Sequence, residues 1–148
     1  SRARHGGNGA QRSTFVVVSA MTMGSGLALR GLRGATTCSA NTVVAIEQAV
    51  SELMDALVKH NALKPNCIVS ITFSVTTDLD ACFPAAVARR RKGWDGVALL
   101  DCQQMAVDGD LARCIRLLAH TWMPEDQEVR HAYLGEASRL RPDRSSHN

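Results

Sequence analysis

The chain has 148 residues, 45% of them hydrophobic and 21% charged, as expected of one soluble domain large enough to bury a core. No apolar run approaches the ~20 residues that span a bilayer, so no membrane partner is expected. Three of the 17 basic residues, Arg2, Arg4 and Arg12, are the only charges in the first 13 positions, leaving 14 basic against 14 acidic residues beyond them. The formal charge of +3 therefore belongs to the tail, and no nucleic-acid-binding face is implied.

The stretch "SRARHGGNGAQRS" is basic and Gly-rich, and "TFVVVSAM" after it is at the short limit for a signal peptide. Residues 1–26 read as a disordered extension, a cloning remnant or an early start ahead of Met21 or Met23. "LALRGLRGATT" (27–37) reads as a strand running into a tight Gly-containing turn. Arg30 and Arg33 are three apart, which puts them on opposite faces of a strand. "NTVVAIEQAVSELMDALVKHN" (41–61) is the clearest helix, with Ile46, Val50, Leu53 and Leu57 in one stripe beside Ala49, Met54 and Val58. Asn41 is the expected N-cap, and Lys59 and His60 suit the C-terminal dipole.

"KPNCIVSITFSVTTDLD" (64–80) begins with a turn and then alternates. Ile68, Ser70, Thr72 and Ser74 fall on one side and Cys67, Val69, Ile71, Phe73 and Val75 on the other, a half-buried strand with a small hydroxyl face. "FPAAVARRRKGW" (83–94) places Pro84 at the start of a short helix that Gly93 ends. "GVALLD" (96–101) reads as a short buried strand. "DGDLARCIRLLAHTW" (108–122) is ambiguous: Asp110 suits a helix cap, yet Ile115, Leu117 and Ala119 alternate against Arg116, Leu118 and His120. "MPEDQ" (123–127) reads as a loop, and "VRHAYLGEASRLRPD" (129–143) as a strand, a turn of helix and a Pro stop.

There is no G-x-S-x-G elbow, P-loop, G-x-G-x-x-G or H-E-x-x-H. The five histidines, His5, His60, His120, His131 and His147, form no metal-ligand spacing. Cys38, Cys67, Cys82, Cys102 and Cys114 are odd in number and lack a C-x-x-C pair, so they read as reduced, mostly buried thiols of a cytoplasmic protein. What recurs is arginine in apolar or Gly-rich sequence: Arg33 in "RGLRGATT", Arg116 in "CIRLL" and Arg141 in "LRPD". A mid-strand arginine is costly to bury unless it meets an anion. Three of them, with Tyr133, point to a polyanionic ligand, because guanidinium binds carboxylates bidentately.

The motifs "LRGLRGATT", "TTDLDACFPA", "GW", "QQM", "CIRLL" and "RHAYLGEASRLRPD" resemble, in order and spacing, those of the monofunctional AroH-class chorismate mutases, from about Leu29 to Asp143. The resemblance implies an α+β fold over residues 27–143, a mixed five-stranded sheet packed on one long helix. It implies a homotrimer with a pseudo-α/β-barrel core (an architecture like that of the RutC group), active sites between subunits, and a short tail at 144–148. In this family "CIRLL" is a strand. The implied reaction is the Claisen rearrangement of chorismate to prephenate in aromatic amino-acid biosynthesis. It is unimolecular and needs no cofactor, metal, nucleophile or base. It needs selection of the compact conformer of a dianion and stabilisation of charge on the ether oxygen.

By resemblance, Arg33 binds a substrate carboxylate, Arg116 reaches the ether oxygen, and Tyr133 hydrogen-bonds the pyruvyl carboxylate. Leu140 and Arg141 match the segment that lines or closes the site. Phe83, Ala85 and Arg89 match the wall given by the neighbouring subunit. Leu99, Leu100 and Asp101, with Cys102 and Gln103 after them, match the strand end that meets the ring and its hydroxyl. Three departures stand out: Gln104 replaces a glutamate, Asp101 a cysteine and Ala86 a lysine. Gln104 still accepts through its amide oxygen but carries no charge, so it holds Arg116 less firmly. Asp101 is the expected compensating carboxylate, the alternative being that it only caps a turn. The rival readings are a non-catalytic small-molecule-binding trimer on the same scaffold, a deaminase-type trimer, and a nucleic-acid module whose salt-sensitive binding would depend on residues 1–20.

Overall fold

The stripe read at 46, 50, 53 and 57 becomes the surface on which the sheet is laid. Helix α1 (Val43–Asn61) buries Ile46, Val50, Leu53 and Leu57 to 2% exposure or less in the computed structural model, which describes residues 26–140. The expected extension through residue 25, Arg141 and the tail at 144–148 lie outside the described residues. The N-cap is Thr42, whose Oγ1 accepts from Ala45 N at 3.1 Å. Asn41, the expected cap, is used elsewhere. Its Oδ1 accepts from Asp80 N (3.0 Å) and Ala81 N (3.1 Å), and its Nδ2 donates to Asp80 Oδ1 at 2.7 Å, which anchors the loop after the second strand. Among the described residues no helix is long and apolar enough to cross a membrane.

The mixed sheet has five strands: β1 (Leu27–Thr37), β2 (Ile68–Val75), β3 (Ala98–Gln103), β4 (Cys114–Pro124) and β5 (Ala132–Tyr133). Their order is β3-β2-β4-β1-β5, with β4 antiparallel to both β1 and β2, and parallel pairs at each edge. The short helix α2 (Pro84–Arg89) crosses between the parallel strands β2 and β3. The ambiguous segment resolves as strand over 114–124, and the loop expected at 123–127 begins only after Pro124. Helix α2 ends at Arg89, short of Gly93, which instead takes φ +86° in the following turn. Arg91 ties that turn to α1 through Asp55 (2.9 Å) and stacks on Trp94.

Three sequence expectations change phase or place. β1 continues through both glycines to Thr37 without a turn. Gly34 faces α1, where an added Cβ would lie 3.1 Å from Leu53 and 3.2 Å from Leu57, so a bare backbone lets helix and strand approach. At the start of β2 a register shift between Ile68 and Ser70 inverts the expected alternation, burying Ile68 and leaving Val69 exposed, while from Ile71 on the expected side is buried. β3 is an edge strand, not a buried one, and Leu100 is 59% exposed.

The C-terminus of α1 positions the last strand. Buried Asn61 donates to Leu57 O (3.0 Å) and Arg130 O (2.8 Å) and accepts from Arg130 N (2.8 Å). Gln127 donates to Asn61 O at 2.7 Å. With the chain held there, Leu134 N bonds Ala35 O, and the Gly135–Arg139 turn folds against Thr37, whose Oγ1 accepts from Glu136 N at 3.2 Å.

Candidate active site

Pairing register sets one row across the whole sheet: Cys102, Ser74, Arg116, Ala35 and Tyr133 are successive partners on β3, β2, β4, β1 and β5. Partners in register share a face. Ile115 and Leu117 belong to the core beneath α1, so Arg116 between them projects from the opposite face. Ala35 and Tyr133 are buried on that face with Ala137, and Leu111 and Leu140 pack against them. Arg33 lies two residues before Ala35, on the same side, and its N–H donates to His131 Nδ1 at 2.9 Å. Arg30 faces the other way and donates to Glu125 O at 2.9 Å, so the expected separation of the two arginines holds.

Arg116 is held by Asp110, a carboxylate in the segment whose sequence is ambiguous between helix and strand. Its Nη2 donates to Asp110 Oδ1 at 3.2 Å and Oδ2 at 3.3 Å. Gln104 Nε2 donates to Asp110 Oδ2 at 2.6 Å, and Leu111 N donates to Oδ1 at 2.8 Å. The loop that carries Asp110 starts where Gln104 N bonds Val75 O, turns at Gly109 (φ +83°) and re-enters the sheet through Arg113 (φ +49°). Arg113 is held there by Asp78, which accepts its N–H at 2.9 Å, and by Cys38 O, which accepts from Nε at 3.0 Å. Burial raises the pKa of the Cys114 thiol, and the neighbouring guanidinium of Arg116 opposes this.

Three buried polar atoms here lack a partner among the described residues: Gln104 Oε1, Arg116 Nε and Tyr133 OH. Buried polar groups are nearly always satisfied, so a cluster of orphans marks where a ligand supplies the missing bonds. The set offers two donors and an acceptor beside a guanidinium, suited to an anionic ligand bearing a hydroxyl.

The other candidates gather elsewhere. A cleft of about 460 Å3 is lined by Val75, Thr76, Cys82, Phe83, Pro84, Asp101, Cys102 and Gln103. Phe83 at its rim is 70% exposed. Asp101 Oδ1 accepts from Ala85 N at 2.9 Å, at the N-terminal turn of α2. Its pKa is raised chiefly by burial, with the Ala85 N–H and the charge of Arg89 pulling it back. Asp101 thus takes the capping role, and within the described residues the carboxylate that meets Arg116 is that of Asp110. Leu99 packs against the core, Leu100 stands exposed on the outer face, and Arg141 is outside the described residues. Sequence reasoning missed Asp110 and Leu111. The turn signal in "DGD" was visible, but the path that returns it to Arg116 was not.

Among the described residues no group of three or more His, Cys, Asp or Glu could hold a metal ion. The model of the chorismate mutase type I family matches residues 29–144. Chorismate mutase AroH of Bacillus subtilis (strain 168) is 40% identical over 119 residues, spanning 79% of this chain and 93% of the relative. Chorismate mutase AroH of Thermus thermophilus is 43% identical over 121 residues, spanning 80% of this chain and 98% of the relative. The solved structure of a chorismate mutase from Clostridium thermocellum superposes with a TM-score of 0.69 at 38% identity, covering 75% of this chain and 99% of that one.

Proposed function

This chain belongs to the chorismate mutase type I family, and from that premise we infer that it isomerises chorismate to prephenate on the outer face of the sheet, around Arg116. The protein is an isomerase serving aromatic amino-acid biosynthesis. The observation that carries the location is the trio of unpartnered buried atoms on Gln104, Arg116 and Tyr133.

In this reading the substrate dianion is held by its two carboxylates, one on Arg33 and one on the Tyr133 hydroxyl. That grip selects the compact conformer in which the bond-forming carbons approach, which lowers the barrier by removing a search. As the ether C–O bond lengthens, negative charge grows on its oxygen. Arg116 Nε, buried and already oriented, donates to that oxygen without reorganisation. Gln104 Oε1 accepts from the substrate hydroxyl. Leu140, packed against the cluster of Ala35 and Tyr133, lines the site. No proton moves, so no group with a shifted acid–base equilibrium is required of the row.

The second wall of the site comes from a neighbouring subunit, through Phe83, Ala85 and Arg89 and the β3 end at Leu99, Leu100, Asp101, Cys102 and Gln103. A homotrimer with three such shared sites follows. It is supported by apolar exposure along the sheet: Leu29 51%, Leu100 59% and Leu118 42%, with Phe83 at 70%. The free thiols at all five cysteines suit the reducing cytoplasm. Following chorismate consumption by the purified protein tests the reading, with mass in solution measured alongside. A protein that binds chorismate without turnover overturns the catalytic reading, and a monomer overturns the shared site.

A further inference from the structure

We propose that Asp110 is the positioning residue of the site, supplying from a loop the carboxylate that Gln104 lacks. The inference rests on the reading that Arg116 is the catalytic cation. Gln104 occupies the place where the family resemblance implies a glutamate that orients the arginine. A neutral amide cannot do that by charge. In this chain the charge is restored from the turn six residues before Arg116, by a side chain 23% exposed against an arginine side chain 28% exposed.

Asp110 is itself fixed from three directions. Oδ1 accepts from Leu111 N, Oδ2 accepts from Gln104 Nε2, and Arg116 Nη2 lies between the two oxygens. Leu111, the next residue, is pinned in the apolar cluster with Tyr133 and Ala35. The carboxylate therefore has little freedom to follow the guanidinium, and the guanidinium must follow it.

The bond to Gln104 does a second job. A carboxylate only accepts, so it selects the amide orientation in which Nε2 points inward and Oε1 outward. Oε1 is left buried and unpartnered as an acceptor, and Arg116 Nε is left as a donor. One acidic side chain thus sets the polarity of both atoms offered to substrate. The pair Arg116–Asp110 beside a neutral Gln104 carries the same net charge as an Arg–Glu pair would.

The test is a swap. Steady-state kinetics and thermal melts are measured for the full-length wild type, Asp110→Asn, Gln104→Glu and the double variant. Asp110→Asn is expected to lower kcat about 10- to 100-fold, the range for losing one charge-assisted hydrogen bond, with KM changed far less. Gln104→Glu alone places two carboxylates against each other, so its activity should gain a pH dependence that the wild type lacks. The double variant Gln104→Glu, Asp110→Asn relocates the charge and should recover kcat to within about threefold of wild type, a non-additivity that loss of packing would not produce. A folded Asp110→Asn enzyme with unchanged kcat, or a double variant no better than Asp110→Asn, overturns the inference alone. A wild type without turnover overturns the functional reading and the inference with it.

Discussion

Replacing Arg116 by lysine separates charge from shape. The guanidinium does two things at once: Nη2 meets Asp110 at 3.2 and 3.3 Å, and Nε is buried with no partner among the described residues. An ammonium keeps the charge but is a single donor point on a shorter reach. It can stay with Asp110 or turn toward the ether oxygen, not both. The loss is therefore one oriented donor at the site of developing charge, about 10²- to 10³-fold in kcat, or roughly 3–4 kcal/mol. The cost to folding is much smaller. The ion pair is retained by lysine, and a partly exposed pair of this kind is worth about 1 kcal/mol or less, which limits the fall in Tm to roughly 4 °C for a domain of this size. Initial rates of chorismate loss give kcat and KM, and a circular-dichroism melt gives Tm. A kcat within about tenfold of wild type would refute the claim that Arg116 stabilises the ether oxygen through an oriented donor. A large fall in Tm would instead show that the residue is mainly structural.

Tyr133→Phe should raise KM about tenfold, yet leave stability unchanged or raise it by up to ~1 kcal/mol, because the hydroxyl is buried without a partner; parallel kinetics and denaturant titrations check both. Asn61→Ala removes the side-chain bonds to Leu57 O, Arg130 O and Arg130 N and leaves the two part-buried Arg130 groups without that partner, so urea denaturation should show a loss of about 1–3 kcal/mol. Burial pushes the Cys38 thiol up to about 11 from its ordinary 9.0, so the folded chain keeps a proton that the unfolded chain releases. Its contribution to stability is fully present below pH 9.0 and is lost as pH rises through about 11. A Cys38→Ser variant should flatten that alkaline slope in the urea midpoint.

Much of the frame was legible in the residues. The stripe of Ile46, Val50, Leu53 and Leu57 requires a helix with one buried side, and the alternation around Phe73 requires a half-buried strand. The arginines embedded in apolar sequence marked an anionic ligand before any geometry was known, and the motif series carried the family. The misreadings share a cause. Asn41 looked like a cap because capping is a local preference, but a tertiary partner at Asp80 and Ala81 claimed its side chain, and Thr42 capped instead. Val69 looked buried because the alternation was counted without the bulge, a feature of pairing between two strands. β3 looked buried because its apolar run says nothing of whether a second strand lies on its far side.

Those are limits of range. Periodicity and capping act within a turn or two of chain, so sequence alone determined the long helix, the strand around Phe73 and which side of α1 is apolar, while pattern left 108–122 open between helix and strand until β4 paired with its neighbours. The choice of carboxylate for Arg116 was not local. Asp101, Asp108 and Asp110 are all near in sequence, and nothing in residue type separates them. Only the folded chain, with Gly109 and Arg113 turning the loop back and Leu111 seated beside Tyr133, brought Asp110 against the guanidinium and left Asp101 to cap α2. Electrostatic partnership depends on distance in space, and that distance is set by the strands that pair and the loops they force to close.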